Sequence, residues 1–197
     1  MRLTYFGHSC FLLETAKARL VLDPFFTGNP SCQTAAADVP CDFVLVSHGH
    51  EDHSGDAVEL SKRHGATIIA GYELAEYFAA QGAKTHGLGV GGGANFPFGR
   101  VKLTLAHHSS SVEAGLKPVY LGVASGLELP MRLEEVDPGF PGRQRKPAQE
   151  LVEDLRGVGL VVFRQRVGAA RKEILCVGGY RSGRVGNEGP GEREEKK

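Results

Sequence analysis

Phe43-Val44-Leu45-Val46-Ser47-His48-Gly49-His50-Glu51-Asp52-His53-Ser54-Gly55 is the stretch from which the fold can be read. It opens as a short apolar, β-branched run, the pattern of a fully buried strand, and turns polar at Ser47. Three histidines and Asp52 then follow one another closely. Imidazole and carboxylate at this density suit a divalent, zinc-like ion, which takes nitrogen at about 2.0–2.1 Å and oxygen at about 2.0–2.2 Å. If strand geometry persists into the motif, His48 and His50 project to the same side and can share one ion. Asp52 and His53 fall where the chain turns toward a helix, so they can address a second ion beside the first. Gly49 removes a side chain that would otherwise crowd the metal.

Upstream, Arg2 to Phe6, Cys10 to Glu14 and Arg19 to Leu22 read as an antiparallel meander of short strands. Gly7-His8-Ser9 interrupts the first pair. Asp23 places a carboxylate where the third strand ends, before Pro24; its expected task is to bond backbone or a ligand histidine, as carboxylates behind metal-bound imidazoles do. Residues 27–40 form a loop punctuated by Pro30 and Pro40, a candidate wall for a cleft. Downstream, Asp56 to Arg63 carries apolar residues at helical spacing and stops at Gly65, with His64 as a cation at the helix end. Ala66 to Ala70 is a buried strand and Tyr72 to Gln81 a second helix. This strand–helix alternation is that of a layered α/β fold.

Gly87-Leu88-Gly89-Val90-Gly91-Gly92-Gly93 has no lysine followed by Ser or Thr and no helix behind it, so it is read as a flexible turn or hairpin connection rather than a phosphate cradle. Val101 to Ala106 alternates as a strand and runs into His107-His108-Ser109-Ser110-Ser111. A His-X-His pair needs one distant ligand to complete a three-histidine site, and either His107 or His108 can supply it. Lys117 to Ala124 is expected as one further strand.

With 197 residues, one domain with a real core is expected. The 23 basic and 23 acidic residues cancel, so no global charge recruits nucleic acid or an acidic membrane. No apolar run approaches the roughly 20 residues of a bilayer span, and the amino terminus lacks a secretory pattern. The four cysteines have neither paired metal spacing nor the density of a disulfide framework, and Cys10 sits in an apolar run. A reduced, cytoplasmic enzyme is expected, with a small-molecule substrate, no membrane and no strong nucleic-acid signal; a homo-oligomer is allowed.

The His48–His53 stretch resembles the metal signature of the metallo-β-lactamase superfamily. Together with Gly7-His8-Ser9, Asp23-Pro24-Phe25 and Ala106-His107-His108-Ser109-Ser110-Ser111, it resembles one branch, small metal-dependent hydrolases related to the ascorbate-lactonase-like proteins. The resemblance implies an αβ/βα sandwich and hydrolysis by metal-activated water on an ester, lactone or related substrate. It implies His48, His50 and His108 around the first ion, Asp52 and His53 on the second, and His8 near the metal rim. Asp52 and His8 are the candidate catalytic residues, Asp52 as a proton acceptor. Zinc is expected, up to two ions with one held tightly; manganese or iron are the alternatives. A phosphodiesterase or nuclease using the same metals, or a catalytically impaired protein keeping half of the site, are the rival readings.

The resemblance ends near Gly126. The relatives' later Gly-Asp-Thr-type turn and last metal histidine have no counterpart, since no histidine follows His108. Ten of the fourteen arginines lie from Arg132 to Arg193, a composition that fits either a shifted reading frame or a divergent tail. Asp137 and Asp154 are the remaining aspartates. Strands within 155–163 and 173–177 and a helix over 148–156 are conceivable there. The hydrolase domain is expected over 1–179, with the second half altered or incomplete and a disordered tail over 180–197.

Overall fold

The structure, a computed structural model, describes residues 1–114 and 117–129 and the backbone of three later strands. The chain begins with β1 (Arg2–Gly7), β2 (Cys10–Glu14) and β3 (Arg19–Leu22), paired antiparallel in sequence. β4 (Phe43–Leu45), α1 (Glu51–Ser54), α2 (Ala57–His64), β5 (Thr67–Gly71), α3 (Tyr72–Ala80) and β6 (Lys84–Leu88) follow. From β3 to β6 every pairing is parallel. A second sheet is built from β7 (Gly93–Phe96), β8 (Gly99–Leu105) and, after a two-stranded ribbon of β9 (Ser111–Ala114) and β10 (Lys117–Tyr120), β11 (Ser125–Leu129). The backbone of β12 (Glu135–Asp137) joins the first sheet parallel to β1; that of β13 (Val161–Val167) and β14 (Ala170–Cys176) extends the second.

Alternation along the strands explains the layering. Leu20, Leu22, Leu45 and Ile69 face one side of the first sheet and pack with Val101, Leu103, Leu127 and Leu129 of the second. Val21, Val44, Val46, Ile68 and Ala70, one residue out of step, face the other side and pack against Leu60, Leu74 and Phe78 of the helices. A strand buried on both faces has no polar register, which is why Val44-Leu45-Val46 is apolar throughout. The order is therefore helices, first sheet, second sheet, the described part of an αβ/βα sandwich. No helix among the described residues is long and apolar enough to cross a membrane.

Several expectations change. The strand expected over Lys117–Ala124 is shorter: β10 ends at Tyr120, Gly122 turns the chain at φ 79°, and the next strand, β11, starts only at Ser125. The glycine run is a connection between two strands, but not a hairpin, because β6 and β7 belong to different sheets. Gly87 and Leu88 end β6 and Gly93 opens β7, where a Cβ would meet the Val101 carbonyl oxygen at 2.6 Å. The 27–40 loop is tied into the fold at both ends. Ala36 and Val39 are buried against the helix side of the sheet, and Asp56 accepts bonds from Phe26 N, Thr27 N and Thr27 Oγ1. The helix considered over 148–156, Asp154, the 180–197 tail and the domain end at 179 lie outside the described residues.

Candidate metal centre

In a sheet of this kind ligands gather beyond the carboxyl ends of the parallel strands. Asp23 follows β3 there and Ser47 follows β4. Strand geometry does not carry His48 and His50 to one point, because β4 stops at Leu45. A loop does it instead. Ser47 N donates to Asp23 Oδ1 at 2.7 Å, Ser125 N donates to the Ser47 carbonyl at 2.9 Å, and Gly49 N donates to Ser110 Oγ at 3.2 Å. His50 then turns the chain into α1, its carbonyl accepting from His53 N and Ser54 N. A Cβ on Gly49 would lie 2.9 Å from the Ser111 carbonyl oxygen, so the chain of β9, not the metal, demands the glycine.

Two groups of donor atoms result: His48 with His50 and His108, and His8 with Asp52 and His53, each within 4.8 Å of one another. The groups adjoin, the His48 and His53 ring centroids being 4.1 Å apart. In the first, His48 Nε2 lies 3.1 Å from His50 Nδ1, and the His108 ring is 4.8 Å from His48 and 5.0 Å from His50. Of the two neighbours left open by the sequence, His108 is the one in this group. Ser109 Oγ is 3.4 Å from His50 Nε2. In the second, His8 Nε2 lies 3.1 Å from His53 Nε2 and 3.2 Å from Asp52 Oδ2.

One buried carboxylate organises both groups. Asp23 is fully buried and holds a left-handed φ of 43°. Its Oδ2 accepts from Ser47 Oγ at 2.7 Å and from His53 Nδ1 at 2.9 Å. Ser47 Oγ has one proton and gives it to Asp23, so at 2.9 Å it accepts from His48 Nδ1. A carboxylate only accepts, so His53 Nδ1 is also a donor, with Ser9 Oγ 2.8 Å away. Both imidazoles therefore carry their proton on Nδ1 and present a bare Nε2 to the donor groups. That tautomer is the one a metal ligand needs.

The electrostatics keep His48, His50 and His8 in the neutral form, His53 being the exception. Burial, with His53 alongside, drives the His48 pKa down to about 3, keeping the ring neutral. Burial also lowers His50 and His8. Burial alone would lower His53, but its hydrogen bond to Asp23 and that residue's charge outweigh this and raise it. Burial opposes ionisation of Asp23, yet its bonds to His53 and Ser47 leave its pKa lowered.

The sequence profile described as "Beta-lactamase superfamily domain" matches residues 2–113, more than half of the chain. The chain belongs to the beta-lactamase superfamily. A protein named UPF0173 metal-dependent hydrolase from Opitutus terrae is 54% identical over 127 residues, covering 64% of this chain and 56% of that one. One of the same name from Heliobacterium modesticaldum is 50% identical over 115 residues, covering 58% and 48%. The chain thus spans about half the length of the curated relatives it matches. Among solved structures, Igni18, described as a novel metallo hydrolase from Ignicoccus hospitalis, superimposes with a TM-score of 0.55 at 34% identity, covering 64% of this chain and 53% of that one.

Within this superfamily member, two supporting residues escaped the sequence reading: Ser47, which links Asp23 to His48, and Ser9, beside His53. Their only signal was adjacency to the histidines. Asp137 ends β12, whose backbone register sets it opposite Thr4.

Proposed function

We propose that this chain is a metal-dependent hydrolase of an ester, lactone or related small molecule. The observation that carries the reading is the convergence of His48, His50 and His108, with the tautomer of His48 fixed by Asp23 through Ser47. The donor set fits a zinc-like ion: ligands about 2.0–2.1 Å from a tetrahedral ion stand about 3.3–3.4 Å apart, close to the 3.1 Å between His48 Nε2 and His50 Nδ1. Three protein ligands leave a fourth position open, the arrangement of a catalytic rather than a structural site. Asp52 and His53 would hold a second ion. Zinc is the proposed metal, with manganese or iron as alternatives.

When bound, such an ion supplies a water acidic near neutral pH and polarises a scissile carbonyl. The chain's own residues do the rest. Asp23 and Ser47 orient His48, Ser110 fixes the loop at Gly49, and Asp52, partly exposed beside the donors, is placed to take a proton during turnover. Measuring metal content per chain beside turnover of lactone, thioester, ester and phosphodiester substrates tests the reading. Chelator-sensitive ester or lactone turnover restored by zinc is expected. Turnover of phosphodiesters alone would move the protein to that class, and a metal-loaded protein inert on the whole panel would refute hydrolysis of these substrates.

A further inference from the structure

We infer that His8 is a protein ligand of the second ion, so that this site is His8–Asp52–His53 rather than Asp52–His53 alone. The inference builds on the metal reading above but concerns a residue which the sequence placed only at the rim.

Geometry is the first argument. In the neutral ring, the form a metal ligand takes, His53 keeps its proton on Nδ1 toward Asp23 and Nε2 is a bare lone pair. Asp52 Oδ2 is an acceptor as well. His8 Nε2 lies 3.1 Å from one and 3.2 Å from the other. Three electron-rich atoms converge on one point, close to the roughly 3.3–3.4 Å spacing of ligands on a tetrahedral zinc. A single N–H on His8 can satisfy one of the two acceptors well; a cation satisfies all three.

The second argument is the backbone. His8 sits at φ 55°, a left-handed conformation uncommon outside glycine although histidine, like asparagine, enters it more often than most residues, directly after Gly7 at φ 101°. The turn is held there by a Tyr5 hydroxyl that donates to the His8 carbonyl at 3.0 Å. Gly7 is pressed against Ser31, whose Cβ would lie 2.6 Å from any added Cβ. Strained positions persist where the surroundings impose them, and they concentrate at functional sites. Here the strained residue is the one whose ring reaches the donor group, with the Phe25 ring edge-on at 5.7 Å.

The inference revises the expectation of a second site with two protein ligands, too few for tight zinc binding. With His8 the count is three at each group.

Calorimetric titration of the metal-free full chain with zinc, for the unaltered protein, His8→Ala and His8→Asn, tests this. Asparagine adopts left-handed φ readily, so His8→Asn keeps the turn while removing the imidazole. Two zinc ions per chain are expected for the unaltered protein. Loss of a residue that only orients a ligand costs about 10–100-fold in metal affinity, so loss of a direct ligand should weaken the second event by at least about 100-fold in both variants, with the first unchanged. Cobalt in place of zinc should lose the absorption of the second equivalent only. Two unchanged binding events in His8→Asn, or a single event in the unaltered protein, would overturn the inference. The latter result together with chelator-sensitive turnover would leave the proposed hydrolase standing on one ion. Two events without turnover of any substrate would do the reverse.

Discussion

The two donor groups share a carboxylate but are built in opposite ways. The first takes two histidines from one loop and one from the loop after β8, and His48 at its heart is buried, neutral and locked by Ser47. The second draws on α1 and on a strained turn 45 residues earlier, and its His8 and Asp52 side chains stay 39% and 45% exposed. Burial and hydrogen bonding thus preform one donor group, while the other is open to solvent and depends on a single turn. The difference predicts unequal affinities, the first site being the tighter, and unequal sensitivity to mutation.

Asp23→Ala should cut across that difference and have the largest effect. It takes the shared acceptor from Ser47 N, Ser47 Oγ and His53 Nδ1 at once, leaving Ser9 Oγ beside His53 Nδ1 but the buried Ser47 N–H and O–H without their acceptor. Each unsatisfied buried group costs about 1–3 kcal/mol, so unfolding free energy should drop by roughly 3 kcal/mol or more. Affinity at both sites should fall by about 10–100-fold. Denaturant melts and zinc titration check both; an effect on one site alone would show that the two groups are separately supported.

Asp52→Asn keeps shape and removes charge on the open side only. Turnover should fall by about 10²-fold or more while the first ion binds as before. Equal turnover at equal metal content would show that Asp52 moves no proton.

The last effect is expected in the pH dependence of the metal-free protein. His48 is held far below its ordinary pKa, so its contribution is present above pH 6.5 and is lost as pH falls toward about 3. His53 is raised, so its contribution is present below pH 6.5 and is lost as pH rises through its folded value. Together they place a stability maximum near pH 6.5. Melts in chelator across this range check it, and a profile flat from about pH 4 to 6.5 would contradict the burial of a neutral His48.

The same contrast explains what could be read from the sequence. The buried strands and the two helices were legible because burial imposes periodicity: Val44-Leu45-Val46 on both sheet faces, and Leu60, Leu74 and Phe78 on helix faces. β6 was not, because Lys84–Leu88 is an edge strand exposed over most of its length and carries no apolar alternation. β9 was not read either, and of the strand expected over Lys117–Ala124 only the exposed β10, Lys117–Tyr120, forms. At the site, His48, His50, Asp52 and His53 are legible from spacing alone. The role of Ser47 rests on a bond across 24 residues, and His8 reaches its group through a left-handed backbone. Neither long-range pairing nor φ is written in local pattern.

The claim that the first group is a metal site is tested most directly by the zinc content of His50→Ala beside that of the unaltered protein, both dialysed at neutral pH. His50 supplies Nδ1 to the group and is only partly buried, so the fold should survive its loss. The account predicts that the variant loses its tight zinc ion and its turnover while its unfolding midpoint in chelator stays close to that of the unaltered protein. Unchanged zinc stoichiometry and affinity in His50→Ala would contradict it.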